Sequence, residues 1–135
     1  MSDGTKASKN FSWAEFFCPS SGSMILEDMV FEHISKLQKL RDEYGPLKVN
    51  SGYRSPEHNA IVGGAKRSMH LRFATDITPI GWKDSQEDLQ EFFDEIEEDA
   101  KHLAFGGIGR YNTFIHLDCR TLIDRPKARW DNRNE

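Results

Sequence analysis

The feature that most constrains this chain is a pair of short strand-like segments, each bringing a histidine close to an aspartate. One runs through Ser68-Met69-His70 to Asp76; the other is Phe114-Ile115-His116-Leu117-Asp118. In an extended chain alternate side chains share a face. Phe114, His116 and Asp118 therefore project one way, and Ile115, Leu117 and Cys119 the other. Two imidazoles and a carboxylate leave one position of a tetrahedral zinc open for water. Water held there becomes a nucleophile near neutral pH. By residue type alone the chain reads as a candidate zinc hydrolase. Spacing along one strand cannot bring His70 and His116 together, so the fold has to do it.

Composition narrows the class. The chain has 135 residues, enough for one domain with a single modest core. It is 37% hydrophobic and 30% charged, ordinary for a globular protein. A net charge of -4 does not suggest a nucleic-acid partner. No apolar run approaches the roughly 20 residues of a membrane helix. Met1 to Asn10 is polar and lacks the apolar stretch of a signal peptide, so synthesis and folding in a cytoplasm are expected. Cys18 and Cys119 have no C-x-x-C spacing and are expected as reduced, partly buried thiols.

The pattern along the chain implies an α+β fold. Residues 1–10 read as a loose lead-in, and Ser12 with Glu15 resembles a capping box. Residues 26–44 read as a long helix in which Val30, Ile34, Leu37 and Arg41 share a face with Leu40 beside them, His33 faces solvent, and Gly45-Pro46 ends it. Leu47 to Arg54 alternates like a strand. Ser55-Pro56 opens a short helix that Gly63-Gly64 closes. Arg72 to Ile80 is a second strand candidate. Ser85 with Asp88 starts another long helix, whose run Asp94 to Asp99 reads as a solvated face. Gly106 to Tyr111 is a glycine-rich entry to a hairpin closed by Phe114 to Arg120, and Arg125 to Trp130 packs back. The expected architecture is a small antiparallel sheet with helices mainly on one face. Residues 11–130 form the domain, with 131–135 as a tail.

Several motifs in order carry a resemblance. They are Ser51-Gly52-Tyr53-Arg54-Ser55-Pro56 with His58-Asn59, Val62-Gly63-Gly64-Ala65, and Ser68-x-His70. Gly107-Ile108-Gly109-Arg110-Tyr111, Phe114 to Asp118, and Ala128-Arg129-Trp130 follow. Together they resemble the zinc D-Ala-D-Ala carboxypeptidase family of peptidoglycan peptidases, which includes phage endolysins and shares its fold with the hedgehog signalling domain. The similarity spans roughly residues 11–130.

The resemblance implies one zinc per chain on His70, Asp76 and His116, and hydrolysis of amide bonds in peptidoglycan stem peptides, near D-alanine. It implies a nearby carboxylate as general base, for which Asp118 is the nearest candidate. Asp118 also reads as an acid that orients a ligand histidine, or as a ligand itself with His116 as acid/base. Arg54 is the candidate anchor, gripping a carboxylate or polarising the scissile carbonyl, with a surface ion pair as the plain alternative. Ser68 reads as a substrate contact or as a support for the His70 turn, and Tyr111 as cleft wall or core edge. Asn59 and Gly63-Gly64 read as scaffold. The expected protein is a monomer, phage-encoded, acting on the bacterial wall after release or within a virion.

One departure from the family pattern matters. The family has His-x-x-Gly-x-Ala-x-Asp, one residue longer than His70 to Asp76 here, and the glycine is absent. A one-residue change within a strand flips every later side chain to the opposite face. A loss in the turn after His70 leaves the ligands able to converge; a loss in the strand turns Asp76 away. The alternative reading is accordingly a weakened or inactive member that binds wall peptides or serves as a virion structural module.

Overall fold

Asp76 and the His116–Asp118 segment lie in one sheet, whereas His70, expected in a strand-like setting, sits on a 3₁₀ turn ahead of it. In the computed structural model, which describes residues 5–133, helix α1 (Asp28–Tyr44) is followed by β1 (Leu47–Ser51), α2 (Pro56–Ile61) and β2 (Ala74–Pro79). Helix α3 (Gln86–His102), β3 (Gly107–Arg110), β4 (Ile115–Asp118) and β5 (Ala128–Asp131) complete the chain. The strands form one sheet in the order β1-β2-β4-β3-β5. The first four pair antiparallel. The expected all-antiparallel sheet needs one correction: β5 runs parallel to β3, so the sheet is mixed. A 3₁₀ turn, Arg120–Ile123, and a left-handed Asp124 carry the chain from the end of β4 to the far edge beyond β3.

Start and stop signals act where their chemistry places them. Ser55 and Ser85 accept hydrogen bonds from the His58 and Asp88 N–H groups at the entries of α2 and α3. The Glu15 carboxylate accepts from the Ser12 N–H at 2.7 Å. Gly45 and Gly63 take positive φ past the ends of α1 and α2. Residues 1–4 of the expected lead-in and 134–135 of the expected tail lie outside the described residues. Ser8 and Asn10 are tied to α1 through the Gln38 side chain, at 2.7 and 2.9 Å.

Period-two alternation gives the sheet two unlike faces. One carries Asp76, His116 and Asp118. The other carries Thr75, Ile77, Ile115 and Leu117, all fully buried. α1 and α3 pack on the second face with Met29, Val30, Ile34, Leu37, Leu40, Phe93 and Ile96. Two readings change here. The Asp94 to Asp99 stretch is not purely solvated: Asp94 and Glu97 accept from buried Arg110 at 2.6 and 2.8 Å, and Asp99 accepts from the Tyr44 hydroxyl. His33 is fully buried, not solvent-facing. It packs edge-on against Phe73 and Phe105, and its Nε2 meets Thr75 Oγ1 at 2.9 Å. Its helix position is off the leucine stripe, but the sheet curls under it and supplies a hydroxyl partner.

Burial pushes the His33 imidazole down to about 3. The unfolded chain takes up this proton below about 6.5, the native state only near 3. The penalty on the native state is therefore absent above that range and grows as pH falls through it. Between about pH 7 and about pH 5 this one group should remove about 2 kcal/mol of stability. Urea unfolding of His33→Gln at both pH values should lack that part of the loss, although the variant starts less stable. An identical loss in both proteins would overturn the assignment.

Candidate metal centre

Strand register does most of the work of assembling the site. Asp76 of β2 lies directly opposite His116 of β4, so the two side chains rise side by side from one face. His70 comes from elsewhere. It sits on a 3₁₀ turn, Met69–Leu71, whose first N–H groups are capped by Ser68; the Ser68 Oγ accepts from the His70 N–H at 3.2 Å. The turn is stitched to the end of β1: the Arg54 N–H donates to the His70 carbonyl at 2.7 Å. His70 Nδ1 in turn donates to the Gly52 carbonyl, also at 2.7 Å. A carbonyl only accepts, so Nδ1 carries the proton and Nε2 is left with its lone pair.

That lone pair points at Asp76. His70 Nε2 lies 3.2 Å from one Asp76 carboxylate oxygen, and His116 Nδ1 lies 3.0 Å from the other. His116 Nε2 is 2.7 Å from Asp118 Oδ2. A neutral imidazole has one N–H, yet both His116 nitrogens face carboxylate oxygens. With the proton on Nε2 for Asp118, the Nδ1 lone pair joins that of His70 around Asp76. Ligand atoms of His70, Asp76 and His116 all lie within 4.8 Å of one another, and all three residues are buried. Two nitrogen lone pairs and a carboxylate oxygen in such proximity repel unless a cation or proton sits among them. The donor set, two imidazoles and one carboxylate, is the one zinc takes in catalytic sites with an open position.

Titration behaviour follows from the same contacts. Burial alone would raise the Asp76 carboxyl, but the His116 and His70 rings against it outweigh that and hold it well below the usual range. Asp118 is likewise opposed by burial and held low by His116 and Arg120. Burial works against His116 charge, while Asp118 and Asp76 together raise its affinity for a proton.

The centre opens into a cleft of about 510 Å³. Arg54, Ser68 and Tyr111 all line it, together with the three metal-type residues. Arg54 is oriented by Asn59, whose Oδ1 accepts from its guanidinium at 3.2 Å. Asn59 also donates to the Ala65 carbonyl at 3.0 Å and is crowded by Gly64, where a Cβ would lie 2.1 Å from Asn59 Oδ1. The Tyr111 hydroxyl accepts from Trp130 Nε1 at 2.9 Å, which leaves its own hydrogen for a ligand. Asp118 stands apart from this cleft: it is fully buried behind His116. Its two oxygens receive His116 Nε2 and three donors of Arg120, the backbone N–H, Nε and Nη2.

The sequence profile of the Peptidase M15 family matches residues 9–118, most of the chain and all of these ligand positions. This chain belongs to that family. The M15 peptidases are zinc-dependent, so membership makes the chain a metallopeptidase by family, and His70, Asp76 and His116 form a group that could hold a metal ion. None of the curated proteins matches it. Among the described residues no helix is long and apolar enough to cross a membrane.

The roles of four residues around this centre escaped sequence reasoning. Arg120 pins Asp118 from two residues downstream, a spacing that reaches back only because the strand gives way to a 3₁₀ turn. Trp130 packs on His116 with ring centroids 5.0 Å apart. Gly107 and Gly109 are glycine for clearance: a Cβ on Gly107 would lie 2.3 Å from Asp118 Oδ2, and one on Gly109 would lie 2.2 Å from the Trp130 indole. The pinned carboxylate cannot move aside, whereas half-buried Trp130 on the edge strand can. Gly107→Ala should therefore cost about 1–3 kcal/mol, and Gly109→Ala less. Urea midpoints of the two variants check this, and the reverse order would refute it.

Proposed function

We propose that this M15 peptidase uses zinc to hydrolyse amide bonds in peptidoglycan stem peptides. The observation that carries the proposal is the convergence of the His70 Nε2 and His116 Nδ1 lone pairs on the Asp76 carboxylate. His70, Asp76 and His116 would hold the metal. When bound, zinc supplies a Lewis acid and a water acidic enough to attack near neutral pH.

The surrounding side chains would then do the following. Gly52 and Asp118 fix the two ring tautomers, so that both imidazoles present a lone pair toward Asp76. Asp118 acts through His116 and is a positioning residue in this reading, because four donors occupy it. Arg54 offers a guanidinium to a peptide carboxylate or to the oxygen of the scissile carbonyl. The Tyr111 hydroxyl, with its oxygen already accepting from Trp130, donates its hydrogen to the same carbonyl. Ser68 chiefly caps the His70 turn.

One observation favours a second reading, a cleft that binds wall peptides without cutting them. Asp76 is the only acid among the described residues lining the cleft, so no spare carboxylate is at hand to take a proton from water. Purified protein supplied with zinc separates the readings. About one zinc per chain with chelator-sensitive release of amines from peptidoglycan fragments is the expected result. Bound zinc without cleavage would favour the binding module.

Two variants test the roles. His116→Ala should weaken zinc binding by more than about 100-fold and abolish cleavage in a folded protein. Asp118→Asn should weaken zinc binding by about 10–100-fold while the zinc-loaded fraction keeps most of its turnover. Full zinc binding with lost turnover in Asp118→Asn would instead make Asp118 the proton acceptor.

A further inference from the structure

Next to the metal cleft lies a second recess of about 310 Å³, lined by Arg67, Arg120, Arg125, Pro126, Lys127 and Ala128. The two cavities adjoin, with Arg67 and Arg120 lining both. The recess forms where the loop after α2 meets the segment leading into β5, and Arg125 joins them by donating to the Arg67 carbonyl at 2.9 Å. Its four charged residues are all cations. Arg120 is spent on Asp118. Arg67, Arg125 and Lys127 have no carboxylate partner among the described residues. Burial first, then the charges of Arg67, Arg120 and Arg72, lower the Arg125 pKa. A chain with net charge -4 has thus gathered unpaired cations at one spot, against the electrostatic cost of doing so. Arg120, Arg125 and Lys127 also lie beyond residues 9–118, outside the family match.

We propose that this recess is a substrate subsite that takes a carboxylate of the peptide, close to the amide held at the metal. This rests on the peptidase reading of the neighbouring cleft. Adjacency to that cleft argues for a group on the same peptide, since a carboxylate in the recess lies across only Arg67 and Arg120 from the cleft that holds the amide. The planar guanidinium of Arg125, half-buried and already oriented, suits two-point contact with a carboxylate. Exposed Arg67 and Lys127 add charge. Each exposed pair contributes a few-fold at most, so together they should give about a tenfold preference.

The test uses the zinc-loaded full chain and two synthetic peptides with the same scissile amide, one bearing a carboxylate beside it and the other a carboxamide. Wild-type kcat/KM should favour the carboxylate by about tenfold, less at high salt. The Arg67→Gln/Lys127→Gln variant, altered only at exposed positions, should cut the ratio several-fold, leaving what Arg125 alone contributes. No preference in wild type, or a preference unchanged in the variant, overturns the subsite. If neither peptide is cut, Kd values for the same pair decide. A carboxylate preference that the variant cuts several-fold upholds the subsite while the peptidase reading falls; equal Kd values overturn the subsite. A glycerol-phosphate oligomer serves as competitor. Should it bind wild type but not the variant, with no carboxylate preference, the recess belongs to a phosphodiester and the peptide assignment fails.

Discussion

His116 is held between two carboxylates, and much of the structure exists to make that tolerable. Asp76 reaches Nδ1 from the neighbouring strand and Asp118 reaches Nε2 from the same strand. Two buried negative charges beside one imidazole require compensation. Arg120 supplies part of it by closing on Asp118 with three donors. That closure needs room above Gly107, and the Arg120 guanidinium stacks over Trp130, which itself fills the space above Gly109. β5 is therefore a working part of the site, and its parallel pairing with β3 sets Trp130 opposite Gly109. The remaining negative charge sits on Asp76, where the lone pairs of two imidazoles leave a place only for a cation or a proton.

The shortened link between His70 and Asp76 is absorbed before the strand begins. His70 lies in a 3₁₀ turn and β2 opens at Ala74, so the missing residue falls in the turn and the strand parity is preserved. Phe73 takes up the slack. It is fully buried against Phe16 and His33, with ring centroids 5.6 and 4.8 Å away, and anchors the connection in the core. Thr75, the next inward residue, is fastened to His33 of α1. Asp76 is thus bracketed by two core contacts on the chain just before it, which fixes its direction without a longer loop.

Local chemistry made much of this readable. Ser55, Ser85 and Gly63 act through their own backbone neighbours, and alternation in residues 114–119 depends only on the pleat. The three metal-type residues were legible by type and by their resemblance to a known motif order. What could not be read were choices made by distant parts of the chain. His33 looks solvent-facing on a helical wheel and becomes buried because β2 offers Thr75 beneath it. The acids of α3 look idle until Arg110 arrives from β3. β5 was foreseen as a segment that packs back, but not as a parallel strand, because that direction is set by the crossover after β4. Asp118 shows the same limit: residue type allows base, orienter or ligand, and only the position of Arg120 puts the carboxylate behind the ring.

Net charge also misleads about the working face. The chain is acidic overall, yet its acids are concentrated on α3, behind the sheet, where Arg110 gathers Asp94 and Glu97. Among the described residues the one acid lining the cleft is Asp76, with Asp118 behind His116, both buried and engaged. Arg54, Arg67 and Arg120 line the cleft, and Arg125 and Lys127 extend it. The sheet therefore separates charge as well as polarity. Opposite signs on its two sides leave the cleft attractive to anions in a protein that repels them on average, and a cation bound among His70, Asp76 and His116 strengthens that bias. In the proposed reading, that bias is what would bring a peptide carboxylate to the face where its amide meets His70, Asp76 and His116.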